Sequence, residues 1–133
     1  MGETQKVPKI LSLDLGITTG YAVYQKPGPH LIACGDIGED KFDLDLKALV
    51  RKFTPAEVVV EAPVIVRGEL GNRLQALVTH AHVILHPHVL FVDAARWKPT
   101  PFAKAECPKG LSQHARDAIR LGLWFDNYLQ RTS

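Results

Sequence analysis

The sequence predicts an α/β domain in which a mixed five-stranded sheet is flanked by helices on both faces. Short apolar runs rich in β-branched residues alternate with longer segments in which apolar residues recur at helical spacing. Their order along the chain is βββαβαβα, which is typical of a mixed sheet with helical crossovers. The 133 residues are 46% hydrophobic and 23% charged, as expected for one globular domain. We therefore expect a single domain over residues 1–133.

Three strands are predicted at the start of the chain. The segment Lys9–Gly16 (KILSLDLG) is apolar around a single charge, which indicates a strand covered on both faces. Residues 18–20 (TTG) supply a tight turn, and residues 20–25 (GYAVYQ) form the second strand of a hairpin. The third strand, His30–Ile37, follows a turn made of Pro27, Gly28 and Pro29.

The remaining elements alternate between helix and strand. Helical periodicity predicts helices over 43–53, 70–85 and 112–130, and the first and last of these begin at residues that commonly cap helices, Asp and Ser. Two β-branched runs, Glu57–Val64 and Val89–Ala94, predict the fourth and fifth strands. A basic, proline-containing loop joins the fifth strand to the last helix.

Composition restricts the class of protein. The net charge of +2 is too small to identify a nucleic-acid-binding protein by itself. Cys34 and Cys107 lie far apart in the sequence and match no zinc or redox spacing, so we expect no disulfide framework and a reducing compartment. The sequence contains no apolar run near the length of a membrane span and no export leader. We therefore expect a cytoplasmic protein without a membrane partner.

Two acidic residues interrupt otherwise buried strands. Asp14 lies in the first strand and Glu61 ends the fourth, where an ionised carboxylate is costly unless a cation compensates it. Adjacent parallel strands would bring the two side chains to one edge of the sheet. Two anions about 4 Å apart repel by roughly 4 kcal/mol at an effective dielectric constant near 20. Such a pair favours a divalent metal, although either carboxylate alone is equally well explained by backbone hydrogen bonds.

The last helix adds a third acidic element. His114 and Asp117 are three residues apart and therefore share a helical face soon after Ser112. Acidic residues also favour helix N-termini because of the helix dipole, so a purely structural role for Asp117 stays open. Oxygen ligands with one imidazole suit Mg²⁺ or Mn²⁺ better than zinc. Carboxylates from two strands and a helix are suited to hold two ions for phosphodiester hydrolysis.

Three motifs in order carry a family resemblance. LDLGITTGYAVY, the Glu61 of VVVEAP and HARDAIRLGLWF resemble the acidic motifs of RuvC-type Holliday junction resolvases, which belong to the ribonuclease-H-like superfamily. The resemblance implies that Asp14, Glu61 and Asp117 are metal-binding catalytic carboxylates. His114 stands where many relatives have Asp and some have His, and is implied as a metal ligand or transition-state stabiliser.

The resemblance also implies an activity and a cellular location. It points to an endonuclease that resolves four-way junctions or other branched DNA by symmetric nicking, with two Mg²⁺ or Mn²⁺ ions per active site. The chain is shorter than typical cellular resolvases, mainly between Ala95 and Ser112, as in a compact phage version. The implied location is the cytoplasm of a bacterial or phage-infected cell.

Positive charge concentrates near the proposed site. From Ala94 onward the chain has seven basic and three acidic residues, which predicts a surface for phosphate contacts, although a merely solvated loop and helix remains an alternative. Trp97 and Phe102 suit stacking on unpaired bases but are more often packing residues. The candidate DNA-binding residues are Arg67, Arg96, Lys98, Lys104, Lys109 and Arg116.

The helix over 70–85 is more apolar than one covered face requires. One face carries Leu70, Leu74, Leu77, Ala81 and Ile84, whereas Ala76, Val78, Val83 and Leu85 lie beyond it. Surplus apolar surface predicts a partner, and a two-fold homodimer through this helix would place two active sites symmetrically on a four-way junction. A charged substitution such as Val78→Glu is expected to disrupt it.

Two other functions are weighed against this interpretation. A YqgF-like nucleic-acid processing or binding factor would keep the fold and carboxylates without a preference for junctions. The turn DLGITTG also resembles the phosphate-binding hairpin of sugar kinases and actin-like ATPases. Those proteins enclose a nucleotide with a second, similar lobe, for which we expect no room in 133 residues.

Overall fold

The structure, a computed structural model, describes residues 8–132 and contains one mixed five-stranded sheet. Its strands lie in the order β3-β2-β1-β4-β5. The first three are antiparallel, and β4 and β5 run parallel to β1, which confirms the predicted sheet. Residues 1–7 and 133 lie outside the described residues, so the domain limits of 1–133 stay a prediction. The strands are β1 (Lys9–Asp14), β2 (Thr18–Gln25), β3 (His30–Gly38), β4 (Glu57–Glu61) and β5 (Val89–Val92).

Helices cover both faces of the sheet, as predicted. Helices α1 (Phe42–Phe53) and α2 (Glu69–Leu85) pack on one face around a core that includes Leu11 and Val60. The short helix α3 (Ala94–Trp97) and the long helix α4 (Gln113–Thr132) pack on the other. No helix within residues 8–132 has the length and apolar character needed to cross a membrane.

Of the two predicted helix caps, that of the first helix is wrong and that of the last helix is confirmed. Helix α1 begins at Phe42 after a 3₁₀ turn over Glu39–Lys41, and no side chain caps it. The prediction of Asp43 as its cap is therefore wrong, and Asp43 Oδ1 instead lies 2.8 Å from His80 Nδ1 on α2. Ser112 does cap α4, because the Ala115 amide donates to Ser112 Oγ at 3.0 Å.

The predicted basic loop is partly helical. The fourth and fifth strands end at Glu61 and Val92, earlier than their apolar runs suggest. Asp93, which the sequence assigned to the fifth strand, caps α3 by accepting a hydrogen bond from the Arg96 amide at 3.1 Å. A 3₁₀ turn, Pro101–Lys104, follows.

Helix α4 lies unusually close to the sheet because small residues face each other across the contact. A Cβ placed on Gly20 of β2 would lie 1.9 Å from the His114 carbonyl oxygen. A Cβ on Gly122 would lie within 3 Å of the Tyr24 ring and of Ser12 Oγ. Ser12 itself is fully buried and donates to the Ala118 carbonyl at 2.6 Å. These contacts fix where the first turns of α4 lie over the sheet.

The surplus apolar surface of α2 is smaller than predicted. Leu85, placed outside the core face by the sequence, is buried, whereas Leu70 is exposed. Val78 is half-buried and packs against the core. Val83 is 73% exposed and Ala76 is also exposed. The helix is turned slightly about its axis relative to the predicted orientation. Its outward apolar surface is therefore formed mainly by Val83 and Ala76.

Candidate active site

The ends of β1 and β4 place Asp14 and Glu61 side by side. The two residues are register partners in neighbouring parallel strands. Their chain neighbours Leu13 and Val60 point into the core beneath α1 and α2, so both carboxylates point to the face covered by α3 and α4. The Leu15 amide donates to the Glu61 carbonyl at 3.2 Å and holds the two strand ends together. The edge predicted from the two apolar runs is present.

The turn after Asp14 is closed by one buried side chain. Thr19 Oγ1 donates to the Gly16 carbonyl at 3.0 Å and accepts from the Gly16 amide at 3.3 Å. Thr19 is fully buried, so its hydroxyl is shielded from water. The turn therefore gives Asp14 a rigid support.

The first turns of α4 bring the two remaining candidates toward the same edge. His114 Nδ1 lies 3.7 Å from Asp14 Oδ2. Asp117 is near enough for its charge to act on Asp14, and its Oδ1 accepts a hydrogen bond from Gln113 Nε2 at 2.8 Å. The structure thus gathers the four residues that the sequence singled out, although His114 is half exposed.

Asp14 is the most perturbed acid of the group. Burial, together with the negative charges of Glu61 and Asp117, raises its pKa from the ordinary 3.8 to about 7. A hydrogen bond shared with Glu61 acts in the same direction, and the Lys98 ammonium partly offsets these effects. Near neutral pH the cluster therefore carries negative charge that the protein alone does not fully compensate.

Both oxygens of Glu61 face donors from the segment around α3. Trp97 Nε1 donates to Glu61 Oε1 at 2.5 Å, and Lys98 Nζ lies 3.8 Å from Oε2. Sequence reasoning named Lys98 as a DNA contact and treated Trp97 as a packing or stacking residue. No sequence pattern links Trp97 to Glu61, because their contact depends on how the segment after β5 turns back over the sheet.

The donor set fits a hard divalent cation. Asp14 and Glu61 supply neighbouring carboxylates, and Asp117 adds a third charge. Burial and these charges raise the pKa of Asp14, so a bound cation would favour its ionised form. Within residues 8–132, however, no three His, Cys, Asp or Glu side chains are already arranged as a complete metal cage. Asp117 Oδ1 is already engaged by Gln113 Nε2 at 2.8 Å.

The candidate DNA-binding residues are not all near the carboxylates. Lys98 contacts Glu61, and Arg116 reaches the site indirectly by donating to Gln113 Oε1 at 2.9 Å. Arg96 points elsewhere, with its guanidinium over the rings of Trp124 and Tyr128 at 5.4 and 5.1 Å. The other three are exposed on loops or at the end of the 3₁₀ turn and take part in no ion pair among residues 8–132: Arg67, Lys104 and Lys109.

One supporting residue, Asp36 on β3, was missed by sequence analysis. It accepts a hydrogen bond from Ser112 Oγ at 2.6 Å, while the same hydroxyl oxygen caps α4. Asp36 is the register partner of Gly20, which in turn pairs with Asp14. A row of residues across three strands therefore anchors the start of α4 beside the carboxylates.

Replacing Asp14 by Asn is expected to stabilise the metal-free protein near neutral pH. Because the folded-state pKa is raised to about 7, Asp14 contributes stability that is complete below its unfolded pKa and is lost as pH rises toward 7, at about 1.4 kcal/mol per pH unit. The melting temperature of Asp14→Asn should match wild type near pH 4 and exceed it increasingly up to pH 7. Thermal melts in EDTA test this, and an unchanged difference across that range would contradict it.

Comparison with known proteins gives structural neighbours only. No family model and no curated protein matches the chain. Thermus thermophilus RuvC in complex with a Holliday junction substrate superposes with a TM-score of 0.72 at 16% identity, covering 93% of this chain and 96% of that one. A second Thermus thermophilus RuvC structure gives 0.70 at 17% identity with the same coverage. The yeast mitochondrial Holliday junction resolvase Ydc2 gives 0.55 at 13% identity, covering 98% of this chain and 89% of that one.

At these identities the likeness concerns the fold. It agrees with the resemblance seen in the three acidic motifs, and it extends over almost the whole chain. The protein therefore has the ribonuclease-H-like fold found in the RuvC and Ydc2 Holliday junction resolvases.

Proposed function

We propose that this protein is a divalent-metal-dependent endonuclease that resolves four-way junctions or other branched DNA. The observation that carries the proposal is the pairing of Asp14 with Glu61 at one sheet edge, with Asp117 of α4 close enough to raise the pKa of Asp14. The fold shared with two resolvases supports a junction substrate in particular.

Asp14, Glu61 and Asp117 would hold the metal, with His114 as a further ligand or a stabiliser of the transition state. Two Mg²⁺ or Mn²⁺ ions, when bound, would supply an activated water and stabilise the leaving oxygen of a phosphodiester. The protein's own part is positional: β1 and β4 fix two carboxylates in register, and the capped start of α4 supports the other two side chains. Lys98 places a positive charge beside them.

The basic residues would bind the DNA backbone. Lys98 and Arg116 lie nearest the carboxylates and are suited to phosphates flanking the cleaved bond, whereas Arg67, Lys104 and Lys109 would extend the surface outward. Arg96 contributes only if it leaves its stack on Trp124 and Tyr128. Such contacts make binding fall steeply with salt.

Cleavage of a substrate panel tests the proposal. Four-way, flap, hairpin, RNA–DNA hybrid and linear duplex substrates are incubated with Mg²⁺ or Mn²⁺, with Asp14→Asn as the control. Paired nicks in the four-way junction, absent with Asp14→Asn, are expected. Equal cleavage of all substrates would favour a general nuclease or the YqgF-like alternative, and no cleavage of any substrate would overturn the proposal.

Divalent metal is expected to stabilise wild type but not Asp14→Asn. A cation that binds only the folded site raises the free energy of unfolding by about 2.7 kcal/mol at a hundredfold excess over Kd. That corresponds to a rise in melting temperature of roughly 10 °C for a chain of this length. Melts with Mg²⁺ and Mn²⁺ against EDTA measure the shift. A wild type indifferent to millimolar metal, or an equal rise in Asp14→Asn, would contradict a carboxylate-held ion.

The protein is further proposed to act as a homodimer through α2. Val83 is 73% exposed, and Ala76, two turns earlier on the same face, is also exposed, so an apolar patch remains on the outer side of the helix. Two copies related by a two-fold axis would present paired sites to a nearly symmetric junction.

Val83→Glu is expected to give monomers that lose coordinated, paired cleavage while keeping the fold. Val83 is chosen over Val78 because Val78 also packs against the core. Light scattering measures the mass, and supercoiled cruciform cleavage separates paired from single nicks. Ile32→Glu, which charges a 42% exposed apolar residue on β3 instead of α2, is the matched control. A wild type that is monomeric at tens of micromolar, with and without junction DNA, would contradict the dimer.

A further inference from the structure

The segment around α3 supplies a donor to each oxygen of Glu61. The Trp97 indole N–H donates to Oε1 at 2.5 Å, and Lys98 Nζ lies 3.8 Å from Oε2. Trp97 is 1% exposed and Glu61 is 8% exposed, so water has little access to the indole contact. Glu61 is thus a buried carboxylate beside a second carboxylate, Asp14. The neutral Trp97 indole holds one of its oxygens, and the Lys98 ammonium lies near the other.

Trp97 is itself held rigidly. Asp93 caps the short helix that ends at Trp97, and the Lys98 amide donates to the Ala94 carbonyl at 2.9 Å. Thr100 Oγ1 donates to the Trp97 carbonyl at 2.5 Å. The indole belongs to the core cluster on this face of the sheet, which also contains Val59 and Ala118. A donor fixed in this way cannot follow a moving carboxylate, so it defines where the carboxylate sits.

Without the hydrogen bond from Trp97, the Glu61 side chain could adopt other rotamers. Its side chain has three rotatable bonds, and Lys98 Nζ, at 3.8 Å from Oε2, is too far to hold it by a hydrogen bond. Groups that hydrogen-bond to metal-binding carboxylates fix their orientation and affect metal affinity and activity. The bond from Trp97 commits Oε1 to the protein and leaves Oε2, beside Lys98, for a cation.

We propose that Trp97 is a positioning residue that orients Glu61 through its indole N–H. The inference rests on the proposed function only for its effect on cleavage, because the hydrogen bond and the metal affinity are measured separately. Trp97 does not contact the reacting atoms, and its role is exerted through Glu61.

The hydrogen bond is tested by the indole N–H resonance in ¹⁵N-labelled protein. Trp124→Phe leaves Trp97 as the single indole and keeps a ring in the core. We expect a downfield resonance protected from solvent exchange, which moves upfield and loses protection when Glu61→Ala is added. Glu57→Ala, at the opposite end of β4, is the matched control and should leave the resonance in place. A resonance that does not respond to Glu61→Ala overturns the inference.

The positioning role is tested with Trp97→Phe, which keeps a buried ring and deletes the donor. We expect a weakening of Mn²⁺ affinity by about tenfold or more, with kcat reduced similarly and the KM for junction DNA nearly unchanged. Tyr24→Phe is the control, because it also removes a buried aromatic donor, the Tyr24 hydroxyl that donates to the Ile119 carbonyl at 2.9 Å, but far from Glu61. It should lower stability without altering Mn²⁺ affinity.

The outcomes separate the two proposals. Unchanged Mn²⁺ affinity and kcat in folded Trp97→Phe overturn the positioning role, even when wild type is an active nuclease. A wild type that binds Mn²⁺ but cleaves no substrate overturns the proposed function, while a weaker affinity in Trp97→Phe still supports the inference. If Trp97→Phe does not fold, the indole resonance decides, since that measurement uses variants that retain Trp97.

Discussion

Asp14→Asn, Glu61→Gln and Asp117→Asn are each expected to reduce junction cleavage by about 10³-fold or more, or about 4 kcal/mol in the activation free energy. Each change removes one charge from the group that would hold the metal while keeping the size and hydrogen-bonding capacity of the side chain. Junction binding in EDTA, measured by mobility shift, should stay within a few-fold of wild type, because in the proposed complex the basic residues and not the carboxylates would contact phosphates.

The same three substitutions should combine without adding. Once one carboxylate is lost the metal arrangement is already disabled, so a double variant should cleave about as slowly as either single variant. Asp126→Asn is the matched control, because Asp126 is also a buried acid on α4 but accepts a hydrogen bond from Gln130 away from the site. Near-normal cleavage by two of the three site variants would contradict the assignment.

The sequence predicted the edge that carries the site because local patterns determine it. An acidic residue at the end of an apolar strand is conspicuous, and two such strands that pair in parallel must bring their ends together. The register of Asp14 with Glu61 therefore follows from patterns within two short segments. The position of His114 and Asp117 follows similarly from helical spacing after the Ser112 cap.

The features that the sequence did not predict depend on contacts between distant segments. Asp43 is a good capping residue, but packing of Phe42 into the core starts α1 one residue earlier and leaves Asp43 to face His80. Arg96 counted as a DNA contact from charge alone, whereas the turn of α3 directs it onto the rings of α4. Trp97 is the clearest example of such a contact. The sequence indicates a packing residue, but Trp97 is buried beside Glu61 and donates a hydrogen bond to it.

The close approach of α4 to the sheet leads to a second large effect. Gly20→Ala is expected to destabilise the protein by about 3 kcal/mol, a loss of roughly 10 °C in melting temperature. The added Cβ would lie 1.9 Å from the His114 carbonyl oxygen and 2.7 Å from the Ala115 amide nitrogen. These are backbone atoms at the start of a helix held by Ser112 and Asp36, so no side-chain rotation relieves the clash.

Relief requires the first turns of α4 to move away from β2, and that movement carries His114 and Asp117 away from Asp14. Gly20→Ala should therefore lose most junction cleavage even at temperatures where it remains folded. Gly38→Ala is the control, because its Cβ would meet only the movable Asp40 carboxylate, and it should melt and cleave like wild type. Circular dichroism melts and cleavage at 20 °C below the melting temperature of each variant measure both effects. A Gly20→Ala protein as stable and active as Gly38→Ala would show that the position of α4 over β2 does not determine the geometry of the carboxylate cluster.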